Sequence, residues 1–200
     1  QPAQMSLAMR GVGTSMGLYD TQDMSGLDIA WANRRRQEAT RDPERRYSKV
    51  QDQVCEAGWL GRKAGLGWYE YEDDKLIGPN PSVSPLIEAE AARHGISRRE
   101  LSDKAILQTL MLALINEAAN ILDEGIAWSA SDIDLVLVHG YGFPRFRGGP
   151  LHYADQLGIQ RVREGLEILN KGDSVIWRIS PLILKLADTN GSFSERRRSS

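Results

Sequence analysis

Arg145-Phe146-Arg147-Gly148-Gly149-Pro150-Leu151-His152-Tyr153-Ala154-Asp155, followed by Leu157-Gly158-Ile159, has a degraded copy far upstream. In the later copy Gly149 stands six positions before Asp155, Asp155 three before Gly158, and Ile159 follows. Gly17, Asp23, Gly26 and Leu27 have the same spacing. Each copy also carries a Gly-x-Gly just ahead, Gly11 and Gly13 in one and Gly140 and Gly142 in the other. Aligning these glycines sets Leu7-Ala8-Met9 opposite Val136-Leu137-Val138. A pattern that returns once, at a distance far beyond the roughly 20 to 50 residues of a solenoid period, predicts two related subdomains.

Helix signals dominate both halves, so the expected fold is all-α: two tandem helical subdomains, residues 1–78 and 79–200. Ser25-Gly26-Leu27-Asp28 opens one predicted helix, and Tyr47 to Ala57 forms another, closed by Gly58. Gly61 to Gly67 reads as turns and Trp68 to Tyr71 as an aromatic, strand-like patch. Gly78-Pro79-Asn80-Pro81 reads as the linker between subdomains. Beyond it, Ser84 and Pro85 start a helix that Gly95 ends, and Ser97-Arg98-Arg99-Glu100 has the capping-box pattern for a long helix reaching Gly125. The run Leu110 to Ile115 is apolar on every face, which predicts central burial. Leu135 to Val138 reads as strand or helix by length, and Ser129 with Asp132 as an N-cap tips it to helix. Leu157 to Leu169 and Ser180 to Leu186 complete the set. The long helix pattern from Lys104 to Glu124 precedes the later copy, whereas the earlier copy's matching stretch lies within ten residues of Gln1. The first subdomain is therefore expected to be truncated at its N-terminus and the chain to be a fragment of a longer protein. Its uncovered residues Leu7, Met9, Met16, Leu18 and Leu27 make a homodimer through this face a reasonable expectation.

Composition excludes more than it assigns. A net charge of -2 over 200 residues, with Lys and Arg dispersed, argues against a nucleic-acid surface. The basic runs Arg34-Arg35-Arg36, Arg45-Arg46 and Arg196-Arg197-Arg198 read as solvated faces or a frayed end. Cys55 is the single cysteine, so no internal disulfide is available and a reducing compartment is expected. Near a helix C-terminus it reads as packing rather than as a nucleophile. No stretch reads as a membrane span or a secretory leader.

Chemistry-bearing motifs are sparse. Gly11-x-Gly13-x-x-x-Gly17 misses the dinucleotide spacing by one residue and lacks a preceding strand, and Lys63 of the Gly61 to Gly67 cluster precedes Ala64 rather than a hydroxyl residue. Both read as turns. His94, His139 and His152 lack metal-ligand spacing. His139 and His152 flank the glycine-rich motif and could approach one another. Asn116 and Glu117 lie within the apolar long helix, where a buried polar group must find a partner.

Taken as an ordered set, Gly65-Leu66-Gly67-Trp68-Tyr69-Glu70-Tyr71 after Gly61-Arg62-Lys63, Leu114-Ile115-Asn116-Glu117-Ala118, Glu124-Gly125-Ile126-Ala127, Asp132-Ile133-Asp134 and Gly140-Tyr141-Gly142-Phe143-Pro144 through Asp155 resemble the C-terminal part of the NAD-dependent 3-hydroxyacyl-CoA dehydrogenases. The match is best to the multifunctional enzymes of fatty-acid β-oxidation, which carry two tandem copies of the helical domain. The resemblance implies a parent that oxidises (S)-3-hydroxyacyl-CoA with NAD. Its nucleotide loop, catalytic His and Glu, and substrate-contacting Asn would lie in or just after an upstream Rossmann domain, with a hydratase portion farther upstream. This chain would hold no catalytic residue, bind no cofactor or metal, and act as the helical half of the enzyme against those domains and the acyl-CoA. The resemblance makes Phe143, Pro144, Arg145, Arg147, Gly148, Gly149 and His152 the candidate domain-interface or acyl-CoA-cleft residues. A guanidinium there could pair with a CoA phosphate or with a carboxylate of another subdomain. The alternative is a non-catalytic dimerisation module. The C-terminal Arg198-Ser199-Ser200 is not a Ser-Lys-Leu address, so a bacterial cytoplasmic parent is expected over a peroxisomal one.

Overall fold

The computed structural model describes residues 1–11, 13–14 and 16–195. The Arg196 to Arg198 run lies outside them. The chain divides into two compact units. One is formed by residues 1–11 and 16–103, the other by residues 104–200 with 12–15. The division thus falls after Asp103, whereas the Gly78 to Pro81 linker had suggested an earlier boundary.

In the first unit, α1 (Pro2–Arg10), α2 (Leu18–Ser25), α3 (Leu27–Arg36) and α4 (Val50–Glu56) precede a hairpin of β1 (Tyr69–Glu72) and β2 (Lys75–Pro79), and α5 (Val83–Arg93) follows. The aromatic patch is thus a strand of an antiparallel pair. Its turn places Asp73 and Asp74 at φ 47° and 64°, the positive values that a two-residue type I′ hairpin requires. Helix α5 packs on α4 and sends Val83 into the same core as Leu27, Val54 and Trp68. That burial is why residues 79–103 belong with the first unit. The capping-box pattern at Ser97 is not used. Residues 96–102 have no regular structure, and the carbonyl of Leu101 accepts instead from Gln4 Nε2 at 2.9 Å. A local cap is worth only about 1 kcal/mol, so tertiary contacts readily override it.

The second unit contains α6 (Asp103–Asp123), α7 (Ala130–Gly140), α8 (Pro150–Leu157), α9 (Ile159–Gly172) and α10 (Pro181–Thr189). The Leu135 to Val138 stretch is helical, as its N-cap indicates: Ser129 Oγ accepts from Asp132 N at 3.2 Å, and Asp132 Oδ2 accepts from Ser129 N at 2.9 Å. Helix α6 corrects two expectations. By length and composition it could cross a membrane, but its Leu112, Ile115, Ala118, Ala119 and Leu122 are core residues shared with α8, α9 and α10, which marks it as a core helix. Nor is it buried on every face, since Ala113 and Glu117 are exposed and Leu110 and Leu114 only half-buried. Asn116 finds the partner its burial demands: its amide donates to the carbonyl of Arg178 at 3.0 Å and its oxygen accepts from Ser180 N at 2.9 Å. Asn116→Ala strands both backbone groups and should cost about 2 to 4 kcal/mol in urea unfolding.

Described separately, the two units repeat one another. The glycine after α2 has φ 92°, ψ 121° and the glycine after α8 has φ 87°, ψ 130°, a backbone that L-residues with a Cβ rarely adopt. Asp23 accepts from the backbone N–H groups of Trp68 and Tyr69, both at 3.0 Å. Asp155 accepts from those of Phe193 and Ser194, at 2.8 and 3.0 Å. The helix ends match as well: Trp59 N donates to Val54 O after α4, and Gly191 N to Leu186 O after α10, at the offset that relates Gly17 to Gly149. The paired aspartates do not cap helices. Each clamps a segment that returns from far downstream in its own unit.

Candidate functional site

The glycine-rich motif is held from behind by α7. Asp134 is buried and uses both carboxylate oxygens on the first turn of α8, accepting from Leu151 N at 2.8 Å and His152 N at 3.0 Å. These are helix N-terminal N–H groups that lack intrahelical acceptors, and the carboxylate also complements the helix dipole. Asp134 stands in the Asp132-Ile133-Asp134 motif, but its role is not visible in the local sequence because its partners lie 17 and 18 residues away.

Between α7 and α8 the chain makes one 3-10 turn over Arg145–Arg147. Phe143 and Pro144 are buried beneath it, with Phe143 N donating to Leu137 O at 3.0 Å. Gly148 closes the turn in the left-handed region at φ 72°. Arg145 and His152 are exposed, whereas Arg147 is half-buried, its guanidinium 5.2 Å from the Phe146 ring centroid and 4.8 Å from that of Tyr153. Arg147 Nε is buried without a hydrogen-bond partner. The imidazole of His152 lies over Gly148, and its Nε2 is 3.0 Å from Gln156 Nε2. His139 is exposed at the end of α7, and no hydrogen bond joins it to His152. Of the seven residues singled out, Phe143, Pro144 and Gly149 are buried and Gly148 closes the turn, while Arg145, Arg147 and His152 offer polar atoms.

Burial raises the Asp134 carboxyl above its ordinary range, opposed by the N–H groups of Leu151 and His152. A raised folded-state value means that the native state binds this proton more tightly. The associated stability is present below the unfolded value of about 4 and is lost as pH rises through the folded value. Asp134→Asn should flatten that part of the stability-against-pH curve, measured by urea unfolding at several pH values; an unchanged slope would assign it to another group.

Elsewhere the geometry is structural. Asp23, fully buried, has its carboxyl raised by burial against the bonds from Trp68, Tyr69 and Tyr71. Burial pushes the Cys55 thiol up to about 11, the opposite of an activated nucleophile. The described residues contain no cluster of three potential metal ligands. The glycines at 11, 13 and 17 do not make a pyrophosphate cradle either. They join helix to helix, and the strands described form only an antiparallel pair, whereas a pyrophosphate cradle needs a strand leading into a helix N-terminus.

The family profile described as "3-hydroxyacyl-CoA dehydrogenase, C-terminal domain" matches residues 1–71 and 106–196. The chain belongs to this family. The match has two segments, as the internal repeat requires. The chain is also similar to longer curated proteins. A "Peroxisomal bifunctional enzyme" of Danio rerio is 38% identical over 200 residues, covering 92% of this chain and 28% of that protein. A "Fatty acid oxidation complex subunit alpha" of Pseudomonas savastanoi pv. phaseolicola is 34% identical over 154 residues, covering 76% and 21%. The chain thus spans about a quarter of the curated relatives it matches, which include peroxisomal and bacterial proteins. In three dimensions it is similar to the dehydrogenase part of multifunctional enzyme 1 from C. elegans, with a TM-score of 0.70 at 19% identity over 92% of this chain and 41% of that one. It also resembles 3-hydroxybutyryl-CoA dehydrogenase from Escherichia coli, with a TM-score of 0.69 at 21% identity over 94% and 55%. These likenesses establish the helical fold.

Proposed function

We propose that this chain is the C-terminal helical part of a multifunctional β-oxidation enzyme whose Rossmann domain oxidises (S)-3-hydroxyacyl-CoA with NAD. The observation that supports this most is the family match running through both copies of the repeat, since a tandem pair characterises the multifunctional members. In this reading the helical part walls the acyl-CoA cleft and holds the upstream domains in place. It supplies neither the general base for the hydroxyl proton nor the hydride acceptor. Arg145 is exposed on a rigid turn, where a guanidinium can meet a phosphate or carboxylate in two parallel hydrogen bonds.

Two measurements test the reading. The isolated chain should not oxidise NADH with acetoacetyl-CoA above a heat-treated control. In the full-length enzyme, Arg145→Ala should raise KM for acyl-CoA several-fold with kcat little changed if the guanidinium holds a CoA phosphate. An unchanged KM together with a lower melting temperature would assign Arg145 to a contact between domains.

A further inference from the structure

Two basic runs that are separate in the sequence, Arg34-Arg35-Arg36 and Arg45-Arg46, are brought to one surface of the first unit by tertiary contacts. Arg34 is the clamp. Its Nε and one terminal nitrogen donate to the Asp52 carboxylate on α4 at 3.0 and 3.2 Å, and the terminal nitrogen also reaches the Ser48 carbonyl at 2.7 Å. Arg41 donates to the Arg34 carbonyl at 2.9 Å. The last turn of α3 is thereby tied at two points to the loop over residues 41–49. In that loop Arg41 and Arg45 share the Tyr47 ring, their guanidinium carbons 4.9 and 5.8 Å from its centroid, and on α3 Arg35 lies 4.2 Å over the Trp31 ring.

These contacts concentrate charge. Residues 34–49 hold seven cations and three acids in a chain whose net charge is -2. Of the acids, Glu38 pairs with Lys49 at 3.9 Å and Asp42 accepts from Glu44 N at 3.0 Å. Arg35, Arg36, Arg45 and Arg46 are exposed, and no carboxylate of the described residues pairs with them. A guanidinium stacked on a ring keeps its in-plane N–H groups for an oxyanion. The same face carries apolar surface. Ile29 is 66% exposed and shares one stripe of α3 with the exposed Asn33 and Arg36.

We propose that this surface docks the first unit on an anionic lipid bilayer, with the four exposed guanidiniums on lipid phosphates and carboxylates and Ile29 entering the headgroup layer. Clusters of Lys and Arg on or beside an amphipathic helix are drawn to the negative surface of a leaflet, and apolar side chains next to them enter the boundary between headgroup and acyl chain. A soluble polyanion would use the cations alone. The exposed Ile29 among them is what selects a bilayer. Arg34 and Arg41 position the surface, since both are held by protein groups. The inference rests on neither the acyl-CoA nor the dehydrogenase reading.

The test is sedimentation of the full-length protein with vesicles of phosphatidylcholine alone and of phosphatidylcholine with about 30% phosphatidylserine. Binding is expected to the anionic vesicles only, at about 0.05 M salt, and should be lost at about 0.5 M, where the screening length falls to about 4 Å. Arg35→Gln, Arg45→Gln and Arg46→Gln together should weaken partitioning roughly a hundredfold, about fivefold per cation. Ile29→Ser should weaken it about fivefold with the charge unchanged. Circular dichroism checks that each variant is folded. Absence of binding to anionic vesicles at low salt overturns the proposal, as does binding that the triple variant keeps. Loss in the triple variant with no change on Ile29→Ser also overturns it, by making the surface a seat for soluble polyanions.

Discussion

Gly149→Ala is expected to destabilise the second unit by about 2 to 5 kcal/mol, whereas Gly158→Ala costs about 1 to 2 kcal/mol. Both glycines have positive φ, 116° and 87°, so alanine meets the same backbone penalty at each. They differ in surroundings. A Cβ on Gly149 would sit 2.3 Å from Asp134 Cβ and 2.4 Å from its carboxylate oxygen, while nothing lies within 4 Å of one on Gly158. Relief at Gly149 requires α8 to move off α7, which breaks the bonds from Leu151 N and His152 N to Asp134. The two penalties therefore compound at that site. Urea unfolding of the two variants separates the effects, and equal losses would mean that only the backbone matters.

The second large effect is expected at Asp23. Its Oδ1 accepts from Trp68 N, and its Oδ2 from Tyr69 N and from the Tyr71 hydroxyl at 3.2 Å. Asp23→Ala leaves three donors without their acceptor around a fully buried position and should cost about 3 to 5 kcal/mol. Asp23→Asn is a further check on the geometry. An amide keeps one oxygen and turns a donor toward another donor, so it should recover less than half of that loss. The equivalent Asp155 is only half-buried, and one of its two donors, Ser194 N, sits in an exposed bond. Asp155→Ala should therefore cost about 1 to 2 kcal/mol. Similar losses at both aspartates would show that burial is not what sets the size of the effect.

The repeat was legible because its marks are residue types that few others can replace. A carboxylate accepting two backbone N–H groups and a glycine at φ near 90° cannot drift to other residues without loss, so Asp23, Gly26, Asp155 and Gly158 hold their spacing while the intervening helices diverge. What the aspartates do was not legible, since their donors lie 45 residues downstream in one unit and 38 in the other. The role of Asp134 is hidden for the same reason, and the exposure of Arg145, Arg147 and His152 is set by tertiary packing.

Helical class, the N-cap of α7, the polar duty of Asn116 and the exclusion of a nucleotide loop followed from local chemistry, which acts over a few residues and is written in their order. Three things were decided by tertiary structure: that α5 belongs with the first unit, that Ser97 caps nothing, and that α6 buries one face and leaves another open. Each depends on which apolar surface a distant segment covers, and burial of a Val83 or an Ile115 outweighs the roughly 1 kcal/mol of a local cap.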